Sequence, residues 1–330
     1  MIPNNNSLHA HGKLLLTAEY FVLDGALALA LPVRLGQKLE FENWEIGKSK
    51  ILDRKLGIHW RSLDEKGECW FEANFNLENF DFSEATDPAI AELLQKILQA
   101  ARELNPNWSP ITLSAEQAGN HQSLITSHLS FPRLWGLGTS STLIYLVAKW
   151  AQVDPFELSA RTFGGSGYDI ACAGADGPIL YRLENGKPQF KRCDFNPPFR
   201  NSLYFIYLGK KQDSREGIRN YRLTIDDLRS TKLPELVAQV SDLTRRFLVS
   251  QTLAEFEELI RQHENLVAET IGLSRAKSLF FNDFWGEIKS LGAWGGDFVL
   301  ATSDGPAEVT RRYFNEKGFE VFLPYNDLVL

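Results

Sequence analysis

The chain has 330 residues and a net charge of −7, with 44% hydrophobic and 23% charged residues. Its length suits one large or two medium domains, and its composition is that of an ordinary globular protein. The negative balance argues against a broad electrostatic grip on nucleic acid, while a local basic pocket for a small anionic substrate is compatible with it.

The first residues, MIPNNNSLHAHGK, show no basic segment followed by an apolar core, so they do not read as a signal peptide. No apolar run approaches the ~18 residues that a membrane span needs. Cys69, Cys172 and Cys193 lie far apart with no metal-ligand spacing, and read as buried thiols in a reducing compartment. A cytoplasmic protein is expected.

Residues 13–16 (KLLL) and 27–33 (LALALPV) read as short strands. Between Arg34 and Phe82 apolar and polar residues alternate, as in LEFENWEI and CWFEANFNL, which predicts antiparallel sheet with charged turns. Ile90, Leu93, Leu94, Ile97 and Leu98 recur at helical spacing from Asp87 to Leu104, and Pro106 and Pro110 end that helix. Gly119-Asn120 is a hairpin-like turn signal between ITLSAEQ and SLITSHLSF. A nearly all-apolar helix from about Ser141 to Val153 should be buried. The stretch from Tyr181 to Pro198 is polar and turn-rich, with Asn185-Gly186 and a proline pair. A fresh strand follows in NSLYFIYLG, then amphipathic helices at roughly 214–228, 232–248, 252–270 and 276–290. The glycine loop LGAWGG, a strand DFVLAT, a helix at 306–317 and a last strand FEVFLPY complete the chain. Two α+β domains meeting near 180–200 are expected, with bounds 1–185 and 186–330.

The stretch FPRLWGLGTSST, from Phe131 to Thr142, carries more small residues than a plain loop needs. A helix N-terminus presents unpaired N–H groups and partial positive charge. Gly136 and Gly138 let the backbone approach a ligand, and Thr139, Ser140 and Ser141 supply hydroxyls that cap a helix, bind phosphate oxygens or reach a cation. The lysine of a Walker loop is absent, and so is a dinucleotide fingerprint. On these residues alone, a tight turn with a good N-cap and an anion cradle both stand.

Three more segments accompany this loop. HGKLLLTAEY (11–20) puts Lys13 at the start of a strand and Glu19-Tyr20 at its end. GGSGYDIA (164–171) sets Asp169 in a glycine-rich stretch. LGAWGGDF (291–298) is a second glycine loop before a strand. In this order the four segments resemble the motifs of the GHMP kinase superfamily, closest to its mevalonate and phosphomevalonate kinases. HGKLLLTAEY is similar to PGK followed by GEH or GEY; PRLWGLGTSS to PxxxGLGSSA; GSGYD to GSGxD; GAWGGD to GAGGGD. RQHENLVAETIGLS (261–274) resembles the helix that mevalonate-type members carry before the last motif. The resemblance spans nearly the whole chain.

It implies a two-domain α+β fold, with an N-terminal ribosomal-S5-like domain and a C-terminal ferredoxin-like domain. It implies ATP with Mg2+ and transfer of the γ-phosphoryl to a small metabolite, with no nucleic acid or membrane partner; a homodimer is left open. Gly136, Leu137, Gly138, Thr139, Ser140 and Ser141 would then wrap the nucleotide phosphates, with Ser140 as a Mg2+ ligand. Asp169 would orient or accept the proton of the attacking group, and Lys13 would keep that carboxylate ionised and offset charge on the transferred group. Glu19, Tyr20, Ser166 and Gly167 would help hold the acceptor, and Gly292, Gly295, Gly296 and Asp297 would close the far side. Glu157 is one residue from where mevalonate kinases place a second Mg2+ carboxylate.

Departures from the pattern are His11 for proline, Ala18 for glycine, and Trp135 and Trp294 at places usually small. The two tryptophans would narrow the site or stack on a base. Lys210, Lys211 and Arg215 could meet a substrate phosphate or form a solvated turn. The form of the motifs favours mevalonate or its 5-phosphate as acceptor. The alternatives are another alcohol such as a sugar or homoserine, a ligand-binding protein without chemistry, and a diphosphomevalonate decarboxylase.

Overall fold

The computed structural model describes residues 6–45, 57–110, 121–209, 214–226, 232–292, 294 and 297–330. The chain divides into two compact units that are not consecutive in sequence. One comprises Met1–Gly12, Leu35–Arg133 and Gly138–Gly174; the other comprises Lys13–Arg34, Leu134–Leu137 and Ala175–Leu330. Strands β1 (Ser7–Leu15) and β2 (Ala28–Glu45) contribute residues to both.

In the first unit the later part of β2 joins β3 (Gly57–Leu63), β4 (Cys69–Asn76) and β5 (Phe82–Ser83). Helix α1 (Pro88–Leu104) follows, then β6 (His121–Leu129), α2 (Thr139–Ala151), α3 (Pro155–Thr162) and α4 (Tyr168–Ala173). The sheet is mixed: β6 runs antiparallel to β2 and parallel to β3, and the remaining pairs are antiparallel. Its apolar face meets α1, α2 and α3 in a core that includes Phe41, Trp60, Phe75, Leu98, Ile125 and Trp150. Helix α1 starts as its sequence predicts, with Asp87 accepting from the amides of Ala89 and Ile90 and Pro88 fixing the first turn. Asp154 and Pro155 open α3 in the same way.

In the second unit the start of β2 pairs with β7 (Ile179–Glu184), which turns into β8 (Lys187–Arg192). The polar stretch after Tyr181 is thus a hairpin, with Asn185 and Gly186 both at positive φ in its two-residue turn. Then come β9 (Leu203–Tyr207), α5 (Ser214–Asp226), α6 (Leu233–Val249), α7 (Leu253–Ile271), α8 (Ala276–Phe280), β10 (Ile288–Ser290), β11 (Phe298–Thr302), α9 (Ala307–Glu316), β12 (Phe322–Pro324) and α10 (Tyr325–Leu328). Four of these strands form an antiparallel sheet in the order β10-β11-β9-β12. Tyr204, Ile206, Phe281, Val299 and Phe314 share a core with it.

The helix expected over 276–290 ends at Phe280, and its last three positions are a strand. Gly286 lies so close to the Thr302 carbonyl that a Cβ would overlap it, and the Glu287 amide donates to Thr302 Oγ1 (2.8 Å), so this stretch follows β11 instead of coiling. The expected turn at Gly119-Asn120 lies outside the described residues. None of the three cysteines is in a disulfide; Cys172 is buried, but Cys69 is exposed, because it opens β4 directly after the charged turn 64–68. No described helix is long and apolar enough to cross a membrane.

Candidate functional site

In the first unit the glycine loop delivers the chain to α2 through Gly138, which has φ 100° and offers no side-chain cap. The neighbouring hydroxyls do not compensate. Ser141 Oγ donates back to the Gly138 carbonyl (2.9 Å), and Thr142 Oγ1 donates to Gln37 Oε1 (2.6 Å). The first N–H groups of α2 therefore receive no side-chain acceptor from the cap, while the helix dipole points at the same place. Ser140 is exposed on that first turn and Thr139 is half-buried. An anion with several oxygens fits such a terminus.

Asp169 lies in the first turn of α4, behind Gly167 at φ 82°, and its Oδ1 accepts from the Ile170 amide (3.0 Å). Helix α4 packs against α2 within this unit. Ser166 is half-buried beside it. Glu157 sits on the solvent face of α3, with Arg161 3.5 Å away. Among the described residues no three His, Cys, Asp or Glu side chains cluster to hold a metal. Mg2+ usually keeps several waters and is bound through one or two carboxylates plus substrate phosphates, so the exposed Ser140 hydroxyl could serve it only together with the phosphates of a bound nucleotide.

In the second unit, Lys13 and the early part of the glycine loop are tied together. The Lys13 amide donates to the Leu137 carbonyl (2.9 Å), and its ammonium donates to the Gly136 carbonyl (2.8 Å). Gly136 has φ 68°, and a side chain there would run into the Asp297 carboxylate. Asp297 is itself at φ 50°, and its carbonyl accepts from the Leu208 amide (2.8 Å). Lys13, Gly136 and Asp297 are thus brought together. Trp135 packs edge-on against Phe298 (5.5 Å between centroids) and tilted against Tyr207 (6.0 Å), whose hydroxyl donates to the Leu134 carbonyl (3.0 Å).

Glu19 and Tyr20 belong to the same unit and are both buried. Tyr20 Oη accepts from the Trp294 amide (3.0 Å), and its ring stacks on Tyr221 at 5.6 Å. Trp294 is itself buried, with its indole N–H on the Ser274 carbonyl (3.0 Å), so it is a structural anchor and not a platform for a base. Gly292 has φ 64°; Gly295 and Gly296 lie outside the described residues, as do Lys210 and Lys211.

Glu19 meets a cluster that the motifs did not announce. Lys289 Nζ donates to Glu19 Oε1 (2.6 Å) and stands 3.5 Å from Glu264 Oε1; His263 Nε2 is 3.4 Å from Glu19 Oε2. All four side chains are fully buried. Burial raises the Glu19 carboxyl to about 7, against the opposing pull of Lys289, and also raises Glu264. Burial, then the Lys289 charge, holds the His263 imidazole well below its ordinary value. No periodic signal exposes this cluster: His263 and Glu264 lie in the segment 261–274 singled out above, but nothing local pairs them with Lys289 or Glu19.

No family model matches the chain, and no curated protein matches it. Solved structures do share its fold. The mevalonate kinase of Methanococcus jannaschii is 14% identical, with a TM-score of 0.64 over 96% of each chain. The phosphomevalonate kinase of Streptococcus pneumoniae, solved with phosphomevalonate and AMPPNP, is 17% identical, with a TM-score of 0.61 over 96% of this chain and 98% of that one. The galactokinase of Lactococcus lactis, solved with galactose, is 11% identical, with a TM-score of 0.65 over 96% of this chain and 92% of that one. The chain has the two-domain α+β fold of these kinases.

Proposed function

We propose that the protein is an ATP-dependent phosphotransferase of the GHMP type that phosphorylates mevalonate or phosphomevalonate. The observation that carries this reading is the start of α2: a helix N-terminus without a side-chain cap, entered through Gly138 at positive φ. It is supported by the shared fold with mevalonate and phosphomevalonate kinases, one of them holding an ATP analogue.

In this reading the α2 amides and the hydroxyls of Thr139 and Ser140 bind the nucleotide phosphates. Bound Mg2+, held through Ser140, would neutralise charge on those phosphates. Asp169 takes the proton from the acceptor oxygen as that oxygen bonds to the γ-phosphorus and the bond to the ADP oxygen breaks. Lys13 supplies positive charge beside the loop. Ser166 and Gly167 lie next to Asp169 in sequence and would face the acceptor. Glu19 is fully buried, so its part is to position the turn that carries Tyr20.

The galactokinase likeness favours a second reading, a kinase of the same fold acting on a sugar. The test is ADP release from Mg-ATP with mevalonate, phosphomevalonate, homoserine and several sugars in separate assays, with Asp169→Asn alongside. Turnover with one acceptor, reduced about a thousandfold or more in the variant, supports the kinase and names its substrate. Nucleotide bound without turnover on any acceptor would point to a binding protein, and release of CO2 from a diphosphorylated acceptor to a decarboxylase.

A further inference from the structure

Ala18 and Tyr20 both adopt left-handed backbone, at φ 67° and 65°, although neither is glycine. Each such residue is strained and persists only where its surroundings over-determine it. Each of the three residues in this turn is gripped by a different element. The Ala18 amide donates to His263 Nε2 on α7 (3.0 Å). Glu19 Oε1 takes the Lys289 ammonium of β10 at 2.6 Å. Tyr20 Oη takes the Trp294 amide at 3.0 Å and lies where a Cβ on Gly217 of α5 would come within 2.7 Å.

The cluster behind the turn is itself braced. Lys289 Nζ also donates to the Ser290 carbonyl (3.0 Å), and Glu264 accepts from the Ser290 amide and hydroxyl (both 3.1 Å). Because His263 Nε2 accepts the Ala18 amide, the ring is neutral with its proton on Nδ1, and Nδ1 finds no acceptor among the described residues. Glu19 Oε2 likewise finds no donor. Burying such groups is a poor route to stability, since well-packed apolar residues commonly serve as well. What the cluster does achieve is geometry: it fixes a strained turn whose far end holds Trp294 by its amide.

We propose that Lys289, through Glu19, is a positioning residue for acceptor recognition, holding the Ala18–Tyr20 turn so that the Tyr20 hydroxyl keeps Trp294 in place. This rests on the kinase reading for its functional consequence, but the positioning itself does not. Lys289→Met removes the charge that anchors Glu19; Tyr20→Phe removes the hydroxyl that anchors Trp294.

The test is amide hydrogen exchange at Trp294 in the full-length parent, both variants and the double variant, with acceptor and ATP KM measured on the same samples. Loss of one hydrogen bond predicts about tenfold faster exchange at Trp294 in Lys289→Met, with the Thr142 amide of α2 unchanged. Acceptor KM should rise about tenfold and ATP KM less than twofold, and the double variant should be no worse than the more severe single variant, as expected for two residues acting through one contact. Unchanged exchange at Trp294 in Lys289→Met, or additive effects in the double variant, overturns the proposal. If Lys289→Met does not fold, Glu19→Gln takes its place with the same expected and overturning outcomes. Absence of turnover in the parent on every acceptor would end the kinase reading and leave the exchange result to decide the positioning role.

Discussion

The Asp297 carboxylate fills the space in which a side chain on residue 136 would begin. The two glycine loops are therefore matched at this point: one must lack a side chain because the other presents one. Gly136→Ala combines a left-handed φ of 68°, unfavourable for a residue with a Cβ, with that overlap, and should cost about 2–4 kcal/mol in stability. Urea unfolding checks this, and ATP KM should rise in the same variant because the loop must shift. A variant as stable as the parent would show that the loops do not meet as described.

Lys13→Met removes an ammonium whose hydrogen bond is to the Gly136 carbonyl at 2.8 Å. That bond is part-buried, so its loss should cost only about 1–2 kcal/mol of stability, whereas kcat/KM should fall by about a hundredfold or more through lost charge stabilisation. Parallel losses in stability and activity would instead make Lys13 a structural tether.

Glu19 gives a pH dependence with a definite sign. Its carboxyl titrates near 7 in the folded protein, above the ordinary 4.5, so the folded state holds this proton more tightly than the unfolded state does. The resulting stability is complete below 4.5 and is lost as pH rises through about 7. Glu19→Gln lacks this loss. The variant should therefore gain on the parent by up to ~1.4 kcal/mol per pH unit between those limits, and no further above them. His263, held neutral, contributes the opposite slope in both proteins and cancels in the difference. Urea unfolding at pH 5, 6, 7 and 8 measures it; parallel curves would contradict the buried charge arrangement.

Thr142 closes a buried relay in which its hydroxyl donates to Gln37 Oε1 (2.6 Å) and Gln37 Nε2 donates to Ser127 Oγ (2.6 Å). Thr142→Val keeps the shape and leaves the Gln37 oxygen without this donor, which should cost about 1–3 kcal/mol in denaturant unfolding. A smaller loss would mean that water replaces the hydroxyl.

The sequence makes the local devices legible. The helix expected from Asp87 to Leu104 is present as Pro88–Leu104, and Gly136 and Gly138 adopt positive φ, as suits a backbone that comes close to a ligand. It conceals what depends on distant partners. The apolar residues of 276–290 satisfy helical spacing, yet the contact of Gly286 with Thr302 makes the end of that stretch a strand. No local signal pairs Lys289 with His263 and Glu264, because nothing local distinguishes a lysine facing water from one facing a buried carboxylate. Trp294 fits neither expectation for it: it is buried and bonded at both its amide and its indole nitrogen.

The Glu19–Lys289 contact joins residues 270 positions apart. On the ribosome, the turn that ends the first motif emerges early and has to wait for its counter-charge until β10 is made, a delay on the order of tens of seconds at ordinary elongation rates. During that interval Glu19 is an unpaired carboxylate beside apolar sequence, and Ala18 and Tyr20 have nothing to hold them in left-handed backbone. The nascent chain therefore carries its first motif in an unfinished state, and a strand made 270 residues later sets the geometry of that motif.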